Sequence, residues 1–343
     1  MSRKRFLYLL LAGSVLVLAA GPATASADGG PTVLAVMGDM PYGSAKVAAF
    51  PGFVSFVNAD PTLNLELHLG DIKSGSNSPC TNAYFDQIRD DFAGFQRPLV
   101  YTPGDNEWTD CHVAIKNNGL FTPTERLQRV RSEFFPVPGQ TLGAVTRQVT
   151  TQASNPDFAT YVENVMWTDS NVVFATLNVP GSNDDLDPWG TTLPADASSY
   201  PTQAEEVKSR DQANHVWLSS TFEHATATNA SGVVIAIQAD MWDTSGHLFG
   251  YDDLVKRLGN LARDFGKPVL LLEGDSHIFR VDHPFTPGDP LYSVHAKTPV
   301  APNVTRLVVE GSNTVSTRFE YVRLTVDPST AGIFSWERVD YSF

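Results

Sequence analysis

Four times in this chain a β-like run stops at a Gly-Asp pair: AVMGDMPYG at Asp39, LHLGDIKSG at Asp71, VYTPGDNEW at Asp105 and LLLEGDSHIF at Asp275. Glycine lets the backbone turn tightly where a strand ends, and the aspartate after it projects a short carboxylate into the crevice beyond the carboxyl ends of the strands. One such pair means only a turn. Several converging on one pocket would repel one another unless cations neutralised them, so the recurrence itself points to bound metal.

The strings GDMP, GDIKSG, GDNE, IQAD and GDSH resemble, in order, spacing and strand context, the five motifs of the calcineurin-like metallophosphoesterases, a family that includes purple acid phosphatases. The resemblance runs over residues 33–277, and the stretch 212–218 is similar to the family's helix ending in Trp-Leu. It implies an α/β fold, a four-layer αββα sandwich of two mixed β-sheets flanked by helices. It also implies two divalent metal ions, with Asp39 and His277 on the first, Asp71 bridging both, and Asp105, Gln238 and Asp275 on the second.

Several ligand positions depart from the family pattern. Its third-motif Asn is here Asp105, its fourth-motif His falls at Gln238, and the first His of GHxH is Asp275. Pro41 replaces a first-motif His, with Tyr42 beside the gap as either a ligand or a packed core residue. Asp240 competes with Gln238 for the fourth-motif role. So oxygen-rich a set suits Mg²⁺, Mn²⁺ or Ca²⁺ better than zinc or iron. Four carboxylates against two divalent ions sum to zero, which weakens attraction for dianions and favours monoanionic diesters or slow turnover.

The family mechanism would generate an attacking hydroxide between the metals and hydrolyse a small phosphate mono- or diester in line. The usual proton donor, a third-motif His, is here Asn106, which can bind phosphate together with Tyr42 but cannot act as an acid. His112 lies close enough in sequence to take that catalytic role if its loop is pinned. Cys80 and Cys111, each a few residues beyond a motif, either bridge two site loops in an oxidising compartment or stay as buried thiols.

Of the other polar features, His68 packs within its strand, while His247 and His295 fall in loops, at the surface or within reach of substrate. The acidic run SNDDLD, residues 182–187, lacks EF-hand spacing and reads as a solvated loop. The string NVPGSN, residues 178–183, follows a strand and either lends the site a polar side chain or is a plain turn.

The elements that must position these groups follow from periodicity. Buried strands are expected over 32–36, 63–69, 99–102, 172–179, 233–238 and 269–272, and helices over 124–135, 204–225 and 252–265. Alternation of the two gives a layered α/β architecture, and the closing runs 304–309, 321–326 and 333–339 read as an antiparallel meander. The Pro- and Gly-rich stretches 181–201 and 284–302 are too short to separate domains, so residues 28–343 form a single domain.

Residues 1–27 have the form of a cleavable export signal: Arg3, Lys4 and Arg5, an apolar run over 6–20, then Ala25-Ser26-Ala27. The apolar run is shorter than the ~20 residues of a membrane-spanning helix, so the mature chain should be secreted or periplasmic without an anchor. SRKRFL also resembles a twin-arginine signal with one Arg replaced, leaving that route beside ordinary Sec export. Losing the signal takes the formal charge from −14 to −17, which argues against nucleic-acid backbones and anionic membranes and for a small substrate. Two functions remain: a metal-dependent phosphoesterase, or a catalytically degenerate, metal-stabilised binding protein on the same fold. A Ser-His-Asp hydrolase is set aside because no G-x-S-x-G elbow occurs.

Overall fold

A computed structural model describes residues 30–76, 78–312 and 317–343; the expected export signal lies outside them. Two mixed sheets dominate. One has the order β12-β11-β1-β2-β3 and is built from β1 (Thr32–Met37), β2 (Leu65–His68), β3 (Leu99–Tyr101), β11 (Arg318–Val326) and β12 (Phe334–Ser342). The other has the order β4-β5-β6-β7-β8-β10-β9, from β4 (Thr150–Thr151), β5 (Val165–Asp169), β6 (Val172–Thr176), β7 (Gly232–Ala236), β8 (Val269–Glu273), β9 (Arg280–Asp282) and β10 (Val304–Val308).

Alternation along each strand sends its side chains to different layers. Leu34 and Val36 of β1, Leu65 and Leu67 of β2, and Leu270 and Leu272 of β8 meet in a core between the sheets. The intervening Ala35 and Met37 face a second core with Phe50 and Phe53 of α1 (Gly43–Asn58), Ile88 and Phe92 of α2 (Asn82–Phe92), and, past the single turn α3 (Ala114–Asn117), Val130 and Phe134 of α4 (Pro123–Phe134). On the far side, Val269 and Leu271 pack against Trp217 and Phe222 of α6 (Gln203–Ala227) and Leu254 and Leu258 of α7 (Asp252–Phe265). Helices, sheet, sheet and helices are therefore stacked in four layers.

The closing meander is not formed. β11 and β12 pair antiparallel, but β10 lies in the other sheet, parallel to β8 and antiparallel to β9. Hydrophobic runs alone do not say which sheet edge a strand joins. Helix α1 escaped the sequence pattern because Pro51 and Gly52 interrupt it, although Ser55 bonds back to the Pro51 carbonyl within the turn. No helix among the described residues is long and apolar enough to cross a membrane.

Candidate metal centre

β1, β2 and β3 run parallel, as do β6, β7 and β8, so the carboxyl ends of each set lie at one edge of its sheet. Loops leaving those ends carry the four aspartates. Asp39, Asp71 and Asp275 all sit at left-handed φ, at +54°, +56° and +68°, and His277 at +58°. Such backbone costs about 1–3 kcal/mol per residue and persists only where surroundings over-determine it. Here main-chain bonds do so: Asp39 N–H donates to the Gly70 carbonyl at 3.0 Å, and Gly274 N–H to the Gln238 carbonyl at 2.9 Å, tying four of the motifs together in two pairs.

Ligand atoms of Asp39, Asp71 and His277 lie within 4.8 Å of one another, and so do those of Asp71, Asp105 and Asp275. Asp71 belongs to both groups. Its Oδ2 accepts the Tyr42 hydroxyl at 2.7 Å, and its Oδ1 accepts the Asn106 N–H at 3.1 Å. His277 Nε2 stands 3.5 Å from Asp39 Oδ1, with its ring edge-on to Tyr42.

The electrostatics fit cations. Burial, then the charges of Asp105, Glu107 and Asp39, raise the Asp71 carboxyl well above its usual range. Burial, then Asp105 and Asp39, raise Asp275 likewise, and burial with Asp110 pushes Asp105 up to about 7. Burial opposes a charged His277, but the Asp39 hydrogen bond and charge outweigh it and raise its pKa. Divalent cations would offset both the burial and the mutual repulsion that hold these carboxyl pKa values up. The donor set, mostly carboxylate oxygen with one imidazole, matches hard divalent ions.

The remaining expected site residues fall as follows. Gln238 lies beyond the end of β7; its Oε1 accepts the Gly181 N–H at 2.6 Å and its Nε2 donates to Asp105 Oδ1 at 3.3 Å, so it meets the cluster through Asp105. Asp240 is drawn away by Arg306 and Arg280. Asn106 turns its amide onto Tyr42, 3.0 Å away, and onto Asp71. His112 hydrogen-bonds the Thr109 carbonyl at 2.8 Å and is not among the residues lining the cleft over the aspartates. Cys80 and Cys111 form a disulfide. His68 is buried in its strand against the Met40 carbonyl, as expected, and His247 is exposed on Asp187.

Two expectations are corrected. His295 is neither superficial nor near the cleft: it is buried between Asp252 and the Met241 carbonyl. The run SNDDLD is not a solvated loop, since Asn183, Asp184 and Asp185 are buried and Asp184 is paired with Arg210. Ser182 to Asp185 all take left-handed φ within the short turn α5 (Gly181–Asp185). That turn presses the site: Ser182 Oγ donates to Asp105 Oδ2 at 2.8 Å and to Asp110 Oδ1 at 3.1 Å.

Sequence reasoning also missed four residues of the site. Lys73 is fully buried, and its Nζ donates to the carbonyls of Ser74 and Asn106 and to Asn117 Oδ1, each at 2.9 Å. Burial lowers its pKa to about 8, against the raising pull of Asp110 and Asp71, so it stays cationic at neutral pH. Glu107 Oε1 gathers the N–H groups of Asp71 and Gly104 and the Tyr101 hydroxyl. Asp110 and Lys116 line the cleft with Asp71, Asp105, Asp275 and His277; its volume is about 370 Å³. The only signals available were that Lys73 and Glu107 close the strings GDIK and GDNE and that Asp110 and Lys116 follow the second.

No family model matches the sequence, and no curated protein matches it. Among solved structures, the chain is similar to GAP50, the anchor in the inner membrane complex of Plasmodium, at 10% identity and a TM-score of 0.44, over 92% of this chain and 90% of that one.

Proposed function

We propose that the cleft is a two-cation centre on a metallophosphoesterase-like scaffold, and that the exported protein binds phosphate esters there, with the cations stabilising the site. The observation that carries this reading is the position of Asp71 in both ligand groups, which gives two adjacent cation positions one shared carboxylate. Asp39 and His277 would hold one ion, Asp105 and Asp275 the other, and Mg²⁺, Mn²⁺ or Ca²⁺ suits their oxygen-rich set. When bound, such ions supply positive charge to phosphoryl oxygens.

Binding ranks above hydrolysis because side chains expected to face the ester, and one expected to hold a metal, are used internally. Asn106 is held on Tyr42 and Asp71, His112 on its own loop, and the Gln238 amide oxygen on Gly181. A hydrolytic second reading rests on Asp110 and Lys116, an acid and a base side chain outside the proposed ligand set that line the same cleft. The test is metal content of the mature protein, calorimetric binding of phenyl phosphate with Mn²⁺ present, and turnover of mono- and diesters, each compared with Asp71→Asn. Cation-dependent binding with negligible turnover supports the first reading. Asp71-dependent turnover moves the protein to the second, and absence of cation binding sinks both.

A further inference from the structure

Among the described residues, Lys116 is the one Lys or Arg side chain that lines the cleft. Charge makes that position matter. If Asp39, Asp71, Asp105 and Asp275 are balanced by two divalent ions, the floor is neutral, and Asp110 adds a negative charge at the wall. An incoming anion then has no net attraction from the floor, and Lys116 supplies the lateral positive charge.

Lys116 is exposed, but its backbone is tied down. It belongs to α3, the single turn that Asn117 fastens to both metal-motif loops. Asn117 Nδ2 donates to the carbonyls of Asp110 and Val113 at 2.7 and 2.9 Å, and its Oδ1 accepts from buried Lys73. The Asn117 carbonyl accepts the Cys80 N–H at 3.1 Å, and the Cys80–Cys111 disulfide closes the loop that carries Lys116 against the one that carries Asp71. With its backbone fixed, Lys116 has only its own side chain left to order when the ammonium captures a charged oxygen in the cleft.

We propose that Lys116 is the anion-recognition residue of this cleft, pairing with a phosphate oxygen that the cation centre leaves free. This rests on the cation-centre reading above. It assigns the ligand class as phosphate and its esters and makes Lys116 a determinant of ligand affinity, separate from the groups that hold metal.

The experiment titrates the full mature protein first with Mn²⁺ and then, Mn²⁺-loaded, with inorganic phosphate and with phenyl phosphate, for wild type, Lys116→Ala, Lys116→Glu, Lys116→Arg and the neighbouring control Ile115→Ala. Ile115 is 95% exposed and does not line the cleft. Expected are unchanged Mn²⁺ affinity throughout, about tenfold weaker binding of both phosphates in Lys116→Ala, a larger loss in Lys116→Glu, and near-wild-type values in Lys116→Arg and Ile115→Ala. Phosphate affinities within twofold of wild type in Lys116→Ala and Lys116→Glu overturn the assignment while leaving the cation centre standing. Failure of the wild type to bind Mn²⁺ overturns the cation centre and this assignment with it.

Discussion

The Tyr42 hydroxyl donates to Asp71 Oδ2 at 2.7 Å, on the carboxylate common to both ligand groups. That bond neutralises part of the charge that a cation would otherwise take up. Tyr42→Phe should lower the melting temperature of the metal-free protein, where burial and neighbouring carboxylates hold the Asp71 carboxyl well above its usual range, since a net hydrogen bond is worth about 0.5–1.5 kcal/mol. It should also increase the thermal stabilisation that Mn²⁺ confers, because Asp71 becomes the better donor. Melting curves with and without Mn²⁺ check both signs, and a variant that loses its Mn²⁺ response would place the Tyr42 hydroxyl among the ligands instead.

Asp105 makes the metal-free protein sensitive to pH. Its folded-state pKa is raised to about 7 from 3.8, by burial and by Asp110, so between those values the native state holds a proton that the unfolded chain has released. Stability is then fully present below about pH 4 as far as this group is concerned, and declines as pH rises through about 7. Adding Mn²⁺ displaces the proton and should reverse the trend, so Mn²⁺ affinity rises with pH up to about 7. Urea unfolding at pH 5 and pH 8, with and without Mn²⁺, reads this directly. Asp105→Asn should flatten both dependences.

His68 acts with the opposite sign. Burial lowers its pKa to about 4, the Met40 carbonyl bond opposing, so the native state keeps it neutral while the unfolded chain takes a proton below about 6.5. Its contribution is complete above pH 6.5 and is lost as pH falls towards 4, to the extent of about 3 kcal/mol. His68→Gln should flatten the acid limb of the stability curve. An unchanged slope between pH 6.5 and 4 would show that other groups control it.

The sequence made the parallel strands legible because β1, β7 and β8 are nearly continuous hydrophobic runs, and α7 because Leu254 and Leu258 recur on one face. The Gly-Asp pairs likewise announced the carboxylate cluster, since a strand-end turn fixes where the next side chain points. The left-handed turn at 182–185 left no such trace, because polar residues that read as solvated are there held by Arg210 and Asp105, far away in sequence. The partner of β10 was equally hidden: Val304–Val308 would suit either sheet, and its place is settled by pairing with β8 and by the packing of Val304 on the α6 and α7 side.

Gly181 provides a test of how tightly that turn closes on the cluster. A β-carbon there would lie 2.7 Å from Asp105 Oδ2 and 2.8 Å from Asp275 Oδ2, nearer than atoms pack. Gly181→Ala must displace either carboxylate or the turn that Gln238 holds through the Gly181 N–H. We expect Mn²⁺ affinity to fall at least tenfold and stability to fall by about 1–3 kcal/mol. Calorimetry and urea unfolding separate the two effects, and lowered stability with unchanged Mn²⁺ affinity would show that the turn gives way and the carboxylates keep their places.

The Cys80–Cys111 bridge, with 31 residues of sequence separation, encloses Asp105, Asn106 and Asp110. Closing a loop of that length should stabilise the fold by about 3–4 kcal/mol through the entropy of the unfolded chain. Both sulfurs belong to fully buried residues, so brief treatment with a reductant should leave the native protein intact, whereas the same treatment in denaturant should not. Cys80→Ser with Cys111→Ser should lower stability by that amount. It should also weaken Mn²⁺ binding, because the loop carrying Asp105 would lose its covalent tie to the one carrying Asp71. Equal Mn²⁺ affinity in the double variant would show that Lys73, Asn117 and Glu107 alone hold the ligands in place.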